Sequence, residues 1–188
     1  MALISWILLI GLVAAVIWAI NTYNRLIKLR NQVNEAWAGI DVQLQMRYEL
    51  VPNLLATVKG YMQHESAVLE RITRLRCEPG MPVSQRASEE TGLSQSIGKL
   101  FALAEAYPEL KASEGFQQLH SSLVTIEDQL QYARRYYNGS VRDNNNKVES
   151  FPSLVVARMF DFKLAEFFEI ELASRRQVPE IDLARVDR

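Results

Sequence analysis

The stretch that decides the fold runs from Phe116 to Val148, FQQLHSSLVTIEDQLQYARRYYNGSVRDNNNKV. Phe116, Leu119, Leu123, Ile126, Leu130, Ala133, Tyr137, Val141, Asn144 and Val148 follow one another at steps of three and four residues. Such steps place all of them on one stripe of an α-helix, and a stripe sustained this long without a proline is that of a bundle or coiled-coil helix. Ser113 and Glu114 supply an opening with a capping residue and an early acid, and Pro152 ends the pattern.

Working outward, the same periodicity recurs on both sides. Upstream, Leu93, Ile97, Leu100 and Ala104 mark a helix that stops near Tyr107-Pro108, with Ser84 or Ser88 available as its cap. The turn-rich stretch from Cys77 to Pro82 precedes it. Before that turn, Leu26, Val33, Trp37, Ile40, Leu44, Val51, Leu55, Val58, Met62, Leu69 and Ile72 run at helical spacing, so that a first helical unit ends near Arg76. Pro52 interrupts this unit as a kink in one long helix or as the corner of a hairpin. Downstream, Ser153 to Phe160 reads as a short helix, Ala165 to Ala173 as another, and the chain from Ser174 as a polar tail.

Composition agrees. Eight Gly and six Pro in 188 residues are too few turn formers for a sandwich, a barrel or a βαβ array. A net charge of -1 gives no basic face for nucleic acid, and a single cysteine excludes disulfide frameworks and cysteine-based zinc sites.

From Ala2 to Ile20 there is no charged residue. As a helix this run is about 28 Å long, close to a bilayer hydrocarbon core. Trp6 and Trp18 lie near its ends, where amphipathic rings favour the headgroup level. A signal peptide is the rival reading, but no Lys or Arg precedes the run and Asn21-Thr22-Tyr23-Asn24 follows it. Arg25, Lys28 and Arg30 come just after, so the positive-inside rule puts the N-terminus outside and the larger C-terminal part in the cytoplasm. The expectation is an all-α protein: an anchor over 2–22, a long-helix four-helix-bundle, coiled-coil-like domain over 23–172, and a tail over 173–188.

Several strings resemble one known family. They are Tyr23-Asn24-Arg25-Leu26, Glu35-Ala36-Trp37, Ile40-Asp41-Val42-Gln43-Leu44, Arg47-Tyr48-Glu49-Leu50-Val51-Pro52-Asn53-Leu54 and Val58-Lys59-Gly60-Tyr61. Later come His64-Glu65, Ala133-Arg134-Arg135-Tyr136-Tyr137-Asn138, Val141-Arg142-Asp143, Ser150-Phe151-Pro152-Ser153 and Ala165-Glu166-Phe167-Phe168-Glu169. In order and spacing the chain is similar to the LemA family from the anchor to about residue 171. Leu164 stands where the family often has Pro, and Asn144-Asn145-Asn146 is unusually polar. The resemblance implies a bacterial inner-membrane protein with one N-terminal span, a helical bundle and no established enzymatic activity. Some family members act in assembling magnetosome membranes.

The residues themselves offer little catalytic chemistry. His64 is followed by Glu65 but has no second His four residues away, His120 stands alone, and Cys77 has no neighbouring His to lower its pKa. No phosphate loop or nucleophile elbow occurs, and the acidic run of Glu166, Glu169 and Glu171 reads as an exposed face. No enzyme, cofactor, metal, small-molecule substrate or nucleic-acid partner is expected. The expected partners are membrane lipid, other proteins or a second copy of the chain. The reading is a membrane-anchored scaffold, with a lipid-binding or membrane-shaping module and an unrecognised enzyme as alternatives. The candidates for a polar packing network are Arg47 and Asn144, which fall on the apolar stripes, with Asn53 beside the Pro52 kink and Asp143 late in the heptad helix. Either Arg47 and Asn144 meet across the bundle and fix its register, or both reach water at its edge. Tyr136-Tyr137 and Phe167-Phe168 are adjacent pairs, so one ring of each must face away from any single buried stripe.

Overall fold

The computed structural model describes residues 2–62, 65–75 and 82–168. His64, Cys77, Glu169, Glu171 and the expected tail over 173–188 lie outside the described residues. Six helices and no strand occur among those described. They are α1 (Ala2–Lys59), α2 (Ser66–Arg74), α3 (Val83–Ala104), α4 (Pro108–Ala112), α5 (Glu114–Glu149) and α6 (Ser153–Met159).

The 58 residues of α1 make a helix about 87 Å long. Its first part, through Trp18, is exposed throughout, and by length and composition (mean hydropathy 2.7) this end is apolar enough to cross a membrane. No break separates it from the rest, so the 22/23 boundary lies within one helix. The remainder, from Asn21, is about 58 Å long and matches α5, whose 36 residues make about 54 Å. The two run antiparallel. Leu26 shares a cluster with Val148, Val33 and Leu44 share one with Leu130 and Val141, and Val51 to Met62 pack with Phe116 and Leu123. The third long helix, α3, lays Leu93, Ile97 and Leu100 against the far half of this pair, and α2 closes that end with Ile72.

Three sequence expectations need correction. The helical unit expected to end near Arg76 is not continuous: α1 runs through Pro52 to Lys59, Gly60 and Tyr61 turn, and α2 follows over Ser66–Arg74. Pro52 is exposed, and α1 carries on through it although its missing N–H leaves the Tyr48 carbonyl without its intrahelical donor. Neither Ser84 nor Ser88 caps α3, which begins at Val83 after Pro82. Residues 165–168 are not helical. They belong to an extended segment, 162–168, that folds back along the bundle because its backbone is held by α5 side chains.

Candidate functional site

The densest chemistry lies in the bundle interior where α1, α3 and α5 meet. Arg47 of α1 is 2% exposed. Its Nη2 donates to Ser94 Oγ of α3 at 2.6 Å, and its Nη1 lies 3.3 Å from Glu127 Oε2 of α5 and 3.6 Å from Glu90 Oε2 of α3. Ser94 Oγ in turn donates to Glu127 Oε2 at 3.1 Å, and Gln131 Nε2 donates to Glu127 Oε1 at 2.9 Å. Tyr48 Oη donates to Glu90 Oε1. Arg134, also buried, completes the group from α5, and its guanidinium lies 5.0 Å over the Phe168 ring.

Burial dominates the electrostatics. Glu90 is fully buried and its Oε2 accepts no hydrogen bond, so its pKa is pushed up to about 7 by desolvation, against the pull of Arg47 and Arg134 and with a push from Glu127. The 3.6 Å approach to Arg47 is too long for a hydrogen bond, and burial favours the protonated form of Glu90. Desolvation also lowers the Arg134 pKa, opposed by Glu127 and Glu90 and assisted by Arg47. Arg134 Nε and Nη2 have no hydrogen-bond partner among the described residues.

A cavity of about 230 Å³ opens beside this cluster. Its floor is Arg47, Ser94 and Glu127, and its walls are Ile97, Phe101, Leu123 and Val124. The floor atoms are bonded to one another, and neither histidine nor cysteine lines it. His120 instead packs edge-on against Phe101 at 4.3 Å, on the outer side of α5. No group of His, Cys, Asp and Glu able to hold a metal ion occurs among the described residues.

A second polar construction holds the extended segment. Asn138 Nδ2 donates to the Phe168 carbonyl at 3.1 Å while the Phe168 N–H donates to Asn138 Oδ1 at 2.8 Å. Asn145 does the same with Ala165, both bonds being 2.9 Å. The two asparagines are seven residues apart on a helix, about 10.5 Å, and Ala165 and Phe168 are three residues apart in extended chain, about 10 Å. The matching rises let both amides grip the same strand. Tyr137 Oη adds a bond to the Glu166 carbonyl at 2.8 Å, and burial, then Glu166, raises the Tyr137 pKa. Phe168 is buried against Trp37, with ring centroids 6.0 Å apart.

The candidate network is thus distributed differently from the expectation. Arg47 and Asn144 are both buried but do not meet. Arg47 lies 21 residues on from Leu26 and Glu127 lies 21 residues before Val148, so the antiparallel register brings Glu127, not Asn144, to Arg47. Asn144 is 17 residues further along α5, about 25 Å away, and donates to Asn145 Oδ1 at 3.2 Å. Asn53 and Asp143 are exposed and contribute to neither cluster. Of the anchor flanks, Trp6, Trp18, Arg25, Lys28 and Arg30 are all exposed, and Arg30 lies 5.6 Å over the Phe162 ring. Glu90, Ser94, Glu127, Asn138 and Asn145 were not among the candidates. Glu90 was findable, because the α3 stripe extended one step back from Leu93 lands on it.

The family model for the LemA family matches residues 36–183. The chain belongs to the LemA family. Magnetosome protein MamQ 2 of Paramagnetospirillum magneticum is 20% identical, with 85% of this chain and 69% of the relative covered. Magnetosome protein MamQ of Magnetospirillum gryphiswaldense has the same identity and coverage. Protein LemA of Metamycoplasma hominis is 24% identical, over 85% of this chain and 74% of that protein. This LemA-family chain is thus similar to magnetosome proteins and to a protein named LemA, and none of those names is an enzyme's.

Proposed function

We propose that this LemA-family chain is a membrane-anchored, non-catalytic interaction module of the bacterial inner membrane, spanning it once through Ala2–Ile20. Its N-terminus is outside and its bundle is cytoplasmic, as Arg25, Lys28 and Arg30 favour. The observation that carries the reading is the continuity of α1. One helix serves as span and as central bundle element, so whatever binds the bundle is held at a fixed height above the bilayer. The buried ion cluster fits the same role, because paired groups that must meet across three helices fix their register.

The outer face of α5 offers the docking chemistry. Tyr132 and Tyr136 are exposed one helical turn apart, and the Arg135 guanidinium lies 4.5 Å over the Tyr132 ring. Exposed tyrosine and arginine are the residue types that anchor protein interfaces. Photo-crosslinkers placed at Tyr132 and Tyr136 of the full chain in native membranes should give discrete adducts, with a second copy or with another protein. Monomers at micromolar concentration in nanodiscs, together with no adduct at either position, would refute the scaffold role.

The cavity over Arg47, Ser94 and Glu127 favours a second reading, a small-ligand or catalytic site. It requires those three groups to release one another.

A further inference from the structure

The bundle carries an unpartnered apolar stripe at its anchor-proximal corner. Phe151, Val155 and Met159 recur every four residues and are 84%, 53% and 72% exposed, and Phe160 beside them is 54% exposed. On the opposite face of α6, Val156 and Ala157 are buried against Leu26 and Val148, and buried Ser153 Oγ donates to the Lys147 and Ser150 carbonyls. The stripe is therefore what α6 turns away from the core, and nothing among the described residues covers it.

Its height along α1 identifies what does. Ala19 and Tyr23 pack against the cluster that contains Val156 and Ala157. The Tyr23 ring lies 4.8 Å from Phe160 and 5.7 Å from Phe162. Ala19 is the penultimate residue of the apolar run that ends at Ile20, before Asn21 and Thr22. A segment packed on it stands where hydrocarbon meets headgroups, if that run spans the bilayer. The charges around the stripe have the matching sign. Arg25, Lys28 and Arg30 of α1, Lys147 of α5, Arg158 of α6 and Lys163 belong to the segments that meet at this end, against the acids Glu149 and Asp161 of the same described segments, Asp161 being paired with Lys163.

We infer that the corner formed by Phe151 and α6 is a second membrane contact, an apolar wedge seated in the headgroup layer of an anionic leaflet. The inference rests on the reading of Ala2–Ile20 as a span and deepens it: the protein touches the bilayer through its anchor and again through the end of its bundle. Two contacts, the span itself and the wedge packed beside it, fix the bundle's tilt, where a lone span would let it swing. An interfacial helix normally combines an apolar face with a basic polar face, and Phe151, Val155 and Met159 with Arg158 and Lys163 have that distribution.

The test uses the full chain with Cys77→Ser and one environment-sensitive fluorophore attached at Val155→Cys, Met159→Cys, Val13→Cys or Tyr132→Cys. Each protein is reconstituted in phosphatidylglycerol-containing vesicles with or without lipids carrying a nitroxide near the top of the acyl chain. The wedge predicts roughly two-fold quenching at 155 and 159, because an interfacial apolar face sits in reach of that depth, and none at Tyr132 on α5. Quenching at Val13 alone would overturn the wedge and leave the anchor standing. No quenching at Val13, 155 or 159 would overturn both. Shielding at 155 that grows with the protein-to-lipid ratio without nitroxide quenching would also overturn it, assigning the stripe to a second copy of the chain.

Discussion

Glu90→Gln tests the electrostatics of the bundle interior most sharply. Glu90 is fully buried and its pKa stands near 7 against an ordinary 4.5, chiefly through lost hydration. The folded protein holds this proton more tightly than the unfolded chain does. Its contribution to stability is therefore complete below about pH 4.5, falls as pH rises, and is lost once pH passes about 7. At 1.36 kcal/mol for each pKa unit, the ionised carboxylate costs about 3 kcal/mol of stability above that pH. Glutamine keeps the shape and an acceptor for Tyr48 and has no charge to bury. Thermal and denaturant unfolding of the full chain in detergent micelles, at half-unit steps from pH 5 to 8, measures the difference. The wild type should lose stability across this window relative to Glu90→Gln, and the variant should be the more stable protein at pH 8. Every other residue is common to both proteins, so the difference isolates Glu90. If Glu90→Gln is instead the less stable protein at pH 8, the carboxylate is acting as an ionised counter-charge for Arg47 and Arg134, and the argument from burial is wrong.

Other consequences follow from the same geometry. Arg47→Met removes the bond to Ser94 and the pairing with Glu127, and should cost about 3 kcal/mol, with a larger loss at pH 8 than at pH 5 because the ionised Glu90 then lacks its nearest cation; unfolding of the variant at both pH values checks this. Asn138→Ala strips both bonds from the Phe168 backbone and should destabilise the extended segment by about 1–3 kcal/mol. Hydrogen exchange should show the amides of Ala165 and Phe168 losing protection while those of Leu130 and Val141 keep theirs. Phe168→Ala empties the site between Trp37 and Arg134 and should release the same segment, giving the same local exchange pattern. Asp161 has φ 53°, a conformation that non-glycine residues adopt at a cost, so Asp161→Gly should raise the melting temperature slightly.

Much of this architecture is legible in the residues. The three- and four-residue steps from Phe116 to Val148 place α5 almost to its ends, and the uncharged run from Ala2 marks the exposed part of α1. The adjacent aromatics behave as their spacing requires: Tyr137 and Phe168 are buried, while Tyr136 and Phe167 face outward. What escapes is whatever depends on register between distant helices. An apolar stripe says which face is buried but not which layer meets which, so Arg47 had several possible partners on α5 and its true one, Glu127, lies off the stripe. Arg134 and Ser140 are likewise buried between stripe positions, because α5 touches more than one neighbour. The extended segment was illegible for another reason. Ala165 to Phe168 has helical composition, and it is held straight by the amides of Asn138 and Asn145 and the hydroxyl of Tyr137, 20 to 30 residues earlier.

The central claim is that a bundle built on the continuation of its own membrane anchor faces the cytoplasm. The direct measurement uses the Cys77→Ser chain carrying Tyr132→Cys, an exposed position on α5. Cells expressing it are treated with a membrane-impermeant maleimide before and after the inner membrane is broken. Labelling only after breakage is the predicted result, while labelling in intact cells would place the bundle outside and contradict the account.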